Sequence, residues 1–139
     1  MKTRLFFLML DLAVCGFAQQ GFSIVVQKDN PAKSISKSLL RRMMMGESPS
    51  WAGGTRVVVL MGPSGDAPRT AALRQICSMG ESEFAKLTLQ TSFEGGARAV
   101  PKTLPSTASV RQVVQLTPGA VGIVDVAEPG PGLKILPVE

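Results

Sequence analysis

The chain has 139 residues, a net charge of +5 and no histidine. This length suits one small domain with a modest core, and the mild charge without a long basic run gives no indication of nucleic-acid binding. Without histidine, Ser–His and Cys–His catalytic pairs are excluded and a zinc or copper site is disfavoured, so we expect no metal, no cofactor and no enzymatic activity.

The first 18 residues are typical of a secretory signal peptide. Lys2 and Arg4 precede the apolar run from Leu5 to Leu10, and Gly16 and Ala18 place small residues at the positions that a signal peptidase reads. A cut after Ala18 would leave 121 residues with a net charge of +4. We therefore expect a periplasmic or secreted protein.

Residues 19–139 are predicted to form a single lobe that contains one cysteine, Cys77, and hence no internal disulfide. As an alternative to cleavage after Ala18, Cys15 could carry a lipid, although Val14 is bulky where such sites favour a small residue. No later segment is long and apolar enough to cross a bilayer. Contact with a membrane would then require a partner or that lipid anchor.

The first half of the predicted lobe contains two strands and an intervening helix. Residues 22–27 (FSIVVQ) and 55–61 (TRVVVLM) are apolar and β-branched, which predicts buried strands. Ser34 or Ser36 can cap a helix that ends at Gly46, a residue that tolerates positive φ. The apolar residues at helical spacing are Ile35, Leu39, Leu40, Met43 and Met44.

The second half of the predicted lobe continues the alternation of strands and helices. The turn at residues 63–66 leads into a helix with Pro68 in its first turn, and a further helix is predicted over about 81–92. Residues 94–106 form a predicted loop, a helix capped by Ser106 or Thr107 follows, and residues 120–126 and 133–138 are the last strands. The inward residues of the three helices are predicted to be Leu73, Ile76 and Cys77, then Phe84, Leu87 and Thr91, then Val110, Val113, Val114 and Leu116. This order of elements predicts an α/β three-layer sandwich with a mixed or mostly parallel sheet.

Three phrases in this order resemble one protein family: SLLRRMMMGESPSWAGGTRVVVLM, PSGDAPRTAAL and LTPGAVGIVDV. The chain is similar to the substrate-binding proteins of phosphate ABC transporters, which have the type 2 periplasmic binding fold. The matching positions are Gly46, Trp51, Gly54, Ser64, Gly65, Pro118, Gly119, Ala120 and Gly122.

The resemblance implies one lobe of that fold, a non-enzymatic role in transport, phosphate or another small oxyanion as ligand, and an ABC permease as partner. Members of the family hold their ligand between two lobes, whereas the matched segments correspond mainly to one. A solitary lobe would need a second copy in a homodimer, another envelope protein, or no ligand.

The candidate ligand-binding residues are Ser64, Gly65, Asp66 and Arg69, at the start of the helix after the 63–66 turn. The first amides of a helix lack partners within the helix and carry partial positive charge, so they bind anions. Ser64 adds a hydroxyl, Gly65 allows close approach, and Arg69 supplies a positive charge. We expect Pro118 to Gly122 to shape a loop near the same edge of the sheet.

This site departs from the phosphate binders in its charges. Where they carry an Arg, an Asp and a Thr, this chain has Leu60, Gly62 and Asp66. A carboxylate about 4 Å from a bound anion repels it by ~4 kcal/mol, which exceeds the ~2 kcal/mol that a helix start provides. A second hypothesis therefore remains open, in which the lobe is a scaffold that binds another protein and no small ligand.

Other motifs favour structural interpretations. Ser34 and Lys37 fit the S-x-x-K spacing of acyl-enzymes, but no S-D-N follows, and a helix cap explains Ser34 better. Lys33, Lys37 and Arg41 are spaced like a solvated helix face or a docking stripe for an acidic partner. Trp51 could stack on a ligand, but its place beside two glycines favours covering the edge of the sheet.

Overall fold

The computed structural model describes residues 21–47, 50–94, 100–126 and 129–139. The predicted signal peptide and Cys15 lie outside these residues. The elements, in chain order, are β1 (Ser23–Gln27), α1 (Lys37–Met44), β2 (Val58–Met61), α2 (Ala67–Cys77), α3 (Glu81–Glu94), β3 (Lys102–Thr103), α4 (Thr107–Leu116), β4 (Ala120–Val124) and β5 (Leu133–Ile135).

The five strands of the described residues form one mixed sheet in the order β3-β2-β4-β1-β5. Strand β2 is parallel to β3 and β4, and its register pairs Val58 with Ala120 and Met61 with Ile123. Strand β1 is antiparallel to both β4 and β5. This arrangement confirms the mixed sheet that the sequence predicts.

Helices cover both faces of the sheet, which confirms the three-layer architecture. On one face, α1, α2 and Phe84 of α3 pack with the buried side chains of β1, β2 and β4. On the other face, Val110 and Val114 of α4 cover Val25 and Leu60. A Cβ at Gly122 would lie 2.8–2.9 Å from side chains of α4 and of β1, so glycine here lets α4 approach the sheet closely.

Local signals predict helix α1 well. The Ser36 hydroxyl accepts a hydrogen bond from the Leu39 amide at 3.1 Å, so Ser36 is the cap, and Gly46 ends the helix with a φ of +74°. Met43 and Met44 are buried, as helical spacing predicts. None of the helices in the described part of the chain is long and apolar enough to span a membrane.

Two predictions about the second half are wrong. Leu116, expected to face inward, is 81% exposed. It lies two residues after Val114 and therefore about 200° around the helix from it. The predicted loop over 94–106 contains strand β3, whose two residues pair with Leu60 and Met61.

Cys77 is a buried thiol on α2, and its Sγ lies 3.9 Å from the Met44 sulfur. Burial raises the pKa of the Cys77 thiol to about 11, and the positive charge of Arg41 opposes this rise. Its thiolate, the reactive form, is scarce at neutral pH.

We expect Cys77 to react slowly with a disulfide reagent at pH 8 and rapidly after unfolding in guanidinium. Because the folded pKa lies above the ordinary value of 9.0, the contribution of Cys77 to stability is complete below pH 9 and is lost toward pH 11. The labelling rate of native protein, followed from pH 8 to pH 11, checks this. Fast labelling of native protein at pH 8 would contradict it.

Candidate functional site

The candidate site is the turn between β2 and α2, and its backbone follows the predicted strand–turn–helix. Gly65 has a φ of +87°, and the Asp66 amide donates to the Pro63 carbonyl at 3.0 Å. Asp66 occupies the N-cap position, and its carbonyl accepts the Thr70 amide at 2.9 Å. One of the amides expected to face an anion is therefore engaged within the turn.

Asp66 is the N-cap residue of α2, and aspartate commonly caps a helix through its carboxylate. Its side chain makes no bond to the first amides of α2. Oδ2 is buried without a hydrogen-bond partner among the described residues, and it would lie 2.7 Å from a Cβ at Gly62. The carboxylate thus packs over the backbone of the turn, and glycine at position 62 provides the space.

Arg69 is 7% exposed and turns toward the interior of the lobe. Its Nε and Nη2 donate to the two carboxylate oxygens of Glu81 at 2.5 and 3.1 Å. Its Nη1 donates to the Gly62 carbonyl at 3.1 Å and to the Thr103 hydroxyl at 2.8 Å. The guanidinium carbon lies 5.7 Å from the centroid of the Phe84 ring. Arg69 therefore joins α2, α3, β3 and the turn.

These contacts determine the electrostatics of the site. The guanidinium charge is matched by the carboxylate of Glu81, and Asp66 adds a second carboxylate at the turn. Ser64 and Gly65 are exposed at the tip of the turn. The structure brings the four candidate residues to one helix start, but the positive charge among them already has a partner.

Glu81 and Thr103 are the two residues of this network that the sequence analysis does not predict. Glu81 follows a chain reversal at Ser78, which has a φ of 55°, and Thr103 lies in strand β3, where the sequence predicts a loop. A carboxylate in the first turn of a helix is commonplace. No spacing rule links it to an arginine twelve residues earlier on another helix.

The segment from Pro118 to Gly122 does not shape a loop near this turn, contrary to expectation, and Ala120 to Gly122 belong to strand β4. Strands β2 and β4 are parallel, and Val58 pairs with Ala120. Pro118 and Gly119 therefore lie at the end of the sheet where these two strands begin. The turn between β2 and α2 follows Met61 at the opposite end of β2, about 10 Å away along the strand. The Trp51 indole donates to the Gly119 carbonyl at 2.9 Å and its ring packs against the core, so Trp51 covers this end of the sheet as predicted.

No protein-family model matches the sequence, and no curated protein matches it significantly. Solved structures do match the fold. A protein assigned to phosphate ABC transport as a substrate-binding protein, from Clostridium perfringens and with bound phosphate, gives a TM-score of 0.66 at 15% identity, over 85% of this chain and 44% of that one. The chain has the fold of one lobe of such a binding protein.

Two further structures agree with this. An ABC-type phosphate transport receptor from Vibrio cholerae gives a TM-score of 0.64 at 16% identity, over 85% of this chain and 46% of that one. PstS from Borrelia burgdorferi gives a TM-score of 0.56 at 17% identity, over 86% of this chain and 47% of that one. The chain thus spans less than half the length of each, and identities this low establish the fold alone. The resemblance to phosphate-binding proteins that the sequence suggests is therefore confirmed for the fold.

Proposed function

We propose that this chain is an exported, non-enzymatic binding lobe whose partner is another protein of the cell envelope. The observation that carries the proposal is the state of Arg69, whose guanidinium is hydrogen-bonded to both carboxylate oxygens of Glu81. A phosphate at this helix start would therefore find no uncompensated positive side chain among the four candidate residues.

The local charges make phosphate binding at the turn unfavourable. A phosphate there would either approach the carboxylate of Asp66 or displace Glu81 from Arg69. Each carboxylate left about 4 Å from the ligand would cost ~4 kcal/mol, and a helix start returns at most ~2 kcal/mol. Arg69 instead acts as a structural link, because it is buried and holds four hydrogen bonds.

Helix α3 has a surface that suits a protein partner. Leu89 is 59% exposed and Phe93 is 82% exposed. The two lie four residues apart and hence on one face of the helix. Exposed aromatic and aliphatic side chains in one stripe are typical of contact surfaces between proteins. The partner would bury this α3 stripe.

A second candidate function is oxyanion binding by Ser64, Gly65, Asp66 and Arg69, with an ABC permease as partner and a second copy of the lobe closing the site. Two observations favour it. Gly65 has positive φ at the start of α2, where backbone amides point out of the helix. The similar protein from Clostridium perfringens holds phosphate.

Thermal unfolding with phosphate separates the two candidates. We expect no change in Tm between millimolar phosphate and chloride at matched ionic strength, because the carboxylate of Asp66 lies at the turn and Arg69 is already paired with Glu81. A bound ligand at 100 times its Kd would add ~2.7 kcal/mol. Stabilisation by phosphate that sulfate does not reproduce and that Ser64→Ala abolishes would support the oxyanion site and contradict the scaffold.

A further inference from the structure

A cleft of about 430 Å³ opens at the end of the sheet where β2 and β4 begin, opposite the turn between β2 and α2. Its lining residues come from three places: the segment 27–32 at the end of β1, here called the first wall, the segment 51–55 before β2, here called the second wall, and Pro118–Gly119. Its volume falls within the ~300–1,000 Å³ that is typical of small-molecule sites. This cleft shares no residue with the candidate anion site.

The first wall is held in shape by partly buried polar contacts. The Asn30 Oδ1 accepts the Ala32 amide at 2.9 Å. The Lys134 ammonium donates to the carbonyls of Asn30 and Ala32 at 2.5 and 2.7 Å. A lysine of β5 thus fixes the backbone of this turn, and the cleft does not depend on a ligand for its shape.

The second wall is equally well fixed. The Trp51 amide donates to the Thr55 carbonyl and the Gly54 amide donates to the Trp51 carbonyl, both at 2.8 Å. The indole N–H donates to the Gly119 carbonyl, which orients the ring. Trp51 packs in part against the core and also lines the cleft, with its polar atom already satisfied.

The side chains that line the cleft combine hydrogen-bond acceptors with donors. Gln27 donates its amide to the Gln115 carbonyl, which leaves its own oxygen as an acceptor. Asn30 uses its oxygen at the Ala32 amide, which leaves its NH2 group as a donor. Asp29 adds a carboxylate and Thr55 a hydroxyl, which both accepts and donates.

Charge narrows the class of ligand. Among the described residues that line the cleft, Asp29 is charged and no lysine or arginine is present. The ammonium of Lys134 donates to backbone carbonyls of the first wall and offsets the charge of Asp29. The cleft as a whole is therefore close to neutral, which disfavours phosphate and other oxyanions. An organic cation would use the acceptors and the indole but would leave the Asn30 NH2 group and its hydrogen-bonding capacity unused.

We propose that this cleft binds an uncharged sugar ring. A pyranose has apolar faces of C–H groups that pack against an indole, and its hydroxyls need both donors and acceptors around its rim. Trp51 provides the apolar surface, and Gln27, Asp29, Asn30 and Thr55 provide the rim. The sugar would lie between the two walls, above Pro118.

The test uses Trp51, the single tryptophan of the chain, as the reporter. We would titrate the protein with glucose, N-acetylglucosamine and maltose and follow tryptophan fluorescence. We expect a saturable change at millimolar concentrations with at least one of them. Asp29→Ala should weaken this binding ~10-fold, because a hydrogen bond to a charged group is lost. Glu83→Ala, an exposed carboxylate on α3, is the matched control and should leave it unchanged.

Thr55→Val is a second variant that keeps the backbone contact to Trp51, and it should weaken binding as well. Amide chemical shifts should change along residues 27–32 and not along residues 62–66. The proposal is overturned if none of the three sugars gives a saturable change. It is also overturned if tetramethylammonium chloride binds at the cleft while the sugars do not. Phosphate should leave Trp51 fluorescence unchanged in either case.

Discussion

Replacing Glu81 with alanine is expected to lower the free energy of unfolding by about 3 kcal/mol, because the buried Arg69 guanidinium then loses its carboxylate partner. In a domain of this size the Tm should fall by about 10 °C. Thermal unfolding followed by circular dichroism measures both quantities. Removing one partner of a buried pair is costly because the other charge stays away from water.

The control for this variant is Glu83→Ala. Glu83 lies in the same first turn of α3 and is exposed, so its removal should change stability by less than ~0.5 kcal/mol. The double variant Arg69→Met with Glu81→Leu should recover part of the loss, since an apolar pair avoids the desolvation of both charges. It should not recover all of it, because the buried Gly62 carbonyl also loses its hydrogen bond from Arg69. Equal effects of Glu81→Ala and Glu83→Ala would show that the ion pair contributes little.

Replacing Gly119 with alanine is expected to destabilise the lobe by at least ~3 kcal/mol, through backbone strain and a steric clash. Gly119 has a φ of +79°, and a Cβ there would lie 2.2 Å from the Arg56 carbonyl oxygen. The Gly119 carbonyl also accepts the Trp51 indole, so a shift of this turn would loosen the cleft. Chemical denaturation monitored by Trp51 fluorescence reports both effects.

Gly53→Ala is the matched control for Gly119→Ala. Gly53 lies in a nearby turn where an added Cβ would meet none of the described residues within 4 Å, and its backbone needs no positive φ. The stability of this variant should change by no more than ~0.5 kcal/mol. If Gly119→Ala unfolds like the parent protein, the close approach of residues 56 and 119 does not constrain the fold.

Much of the architecture is predictable because local signals agree with the global fold. The β-branched strands, the Ser36 cap and the Gly46 stop each specify their own neighbourhood. Strand β3 escapes prediction because its two residues, Lys102 and Thr103, carry no apolar pattern and pair only through the backbone. A pairing of that kind depends on the neighbouring strand and not on its own sequence.

The position of the candidate site is predictable from the sequence, but the pairing of its arginine with Glu81 is not. The small residues after β2 and the early Pro68 indicate a helix start, and the structure has one there. The partner of Arg69 cannot be predicted, because Glu81 meets it through the packing of two helices. Likewise, the distance of Pro118 from this turn follows from the parallel pairing of β2 with β4. The order of residues in the sequence does not by itself determine at which end of the sheet a loop lies.

The most direct test of the account is a crystal structure of the protein grown in a high concentration of phosphate. We expect Arg69 to remain hydrogen-bonded to both oxygens of Glu81 and the turn at Ser64–Asp66 to hold no phosphate. A phosphate bound by the amides of that turn, with Glu81 displaced from Arg69, would contradict the account.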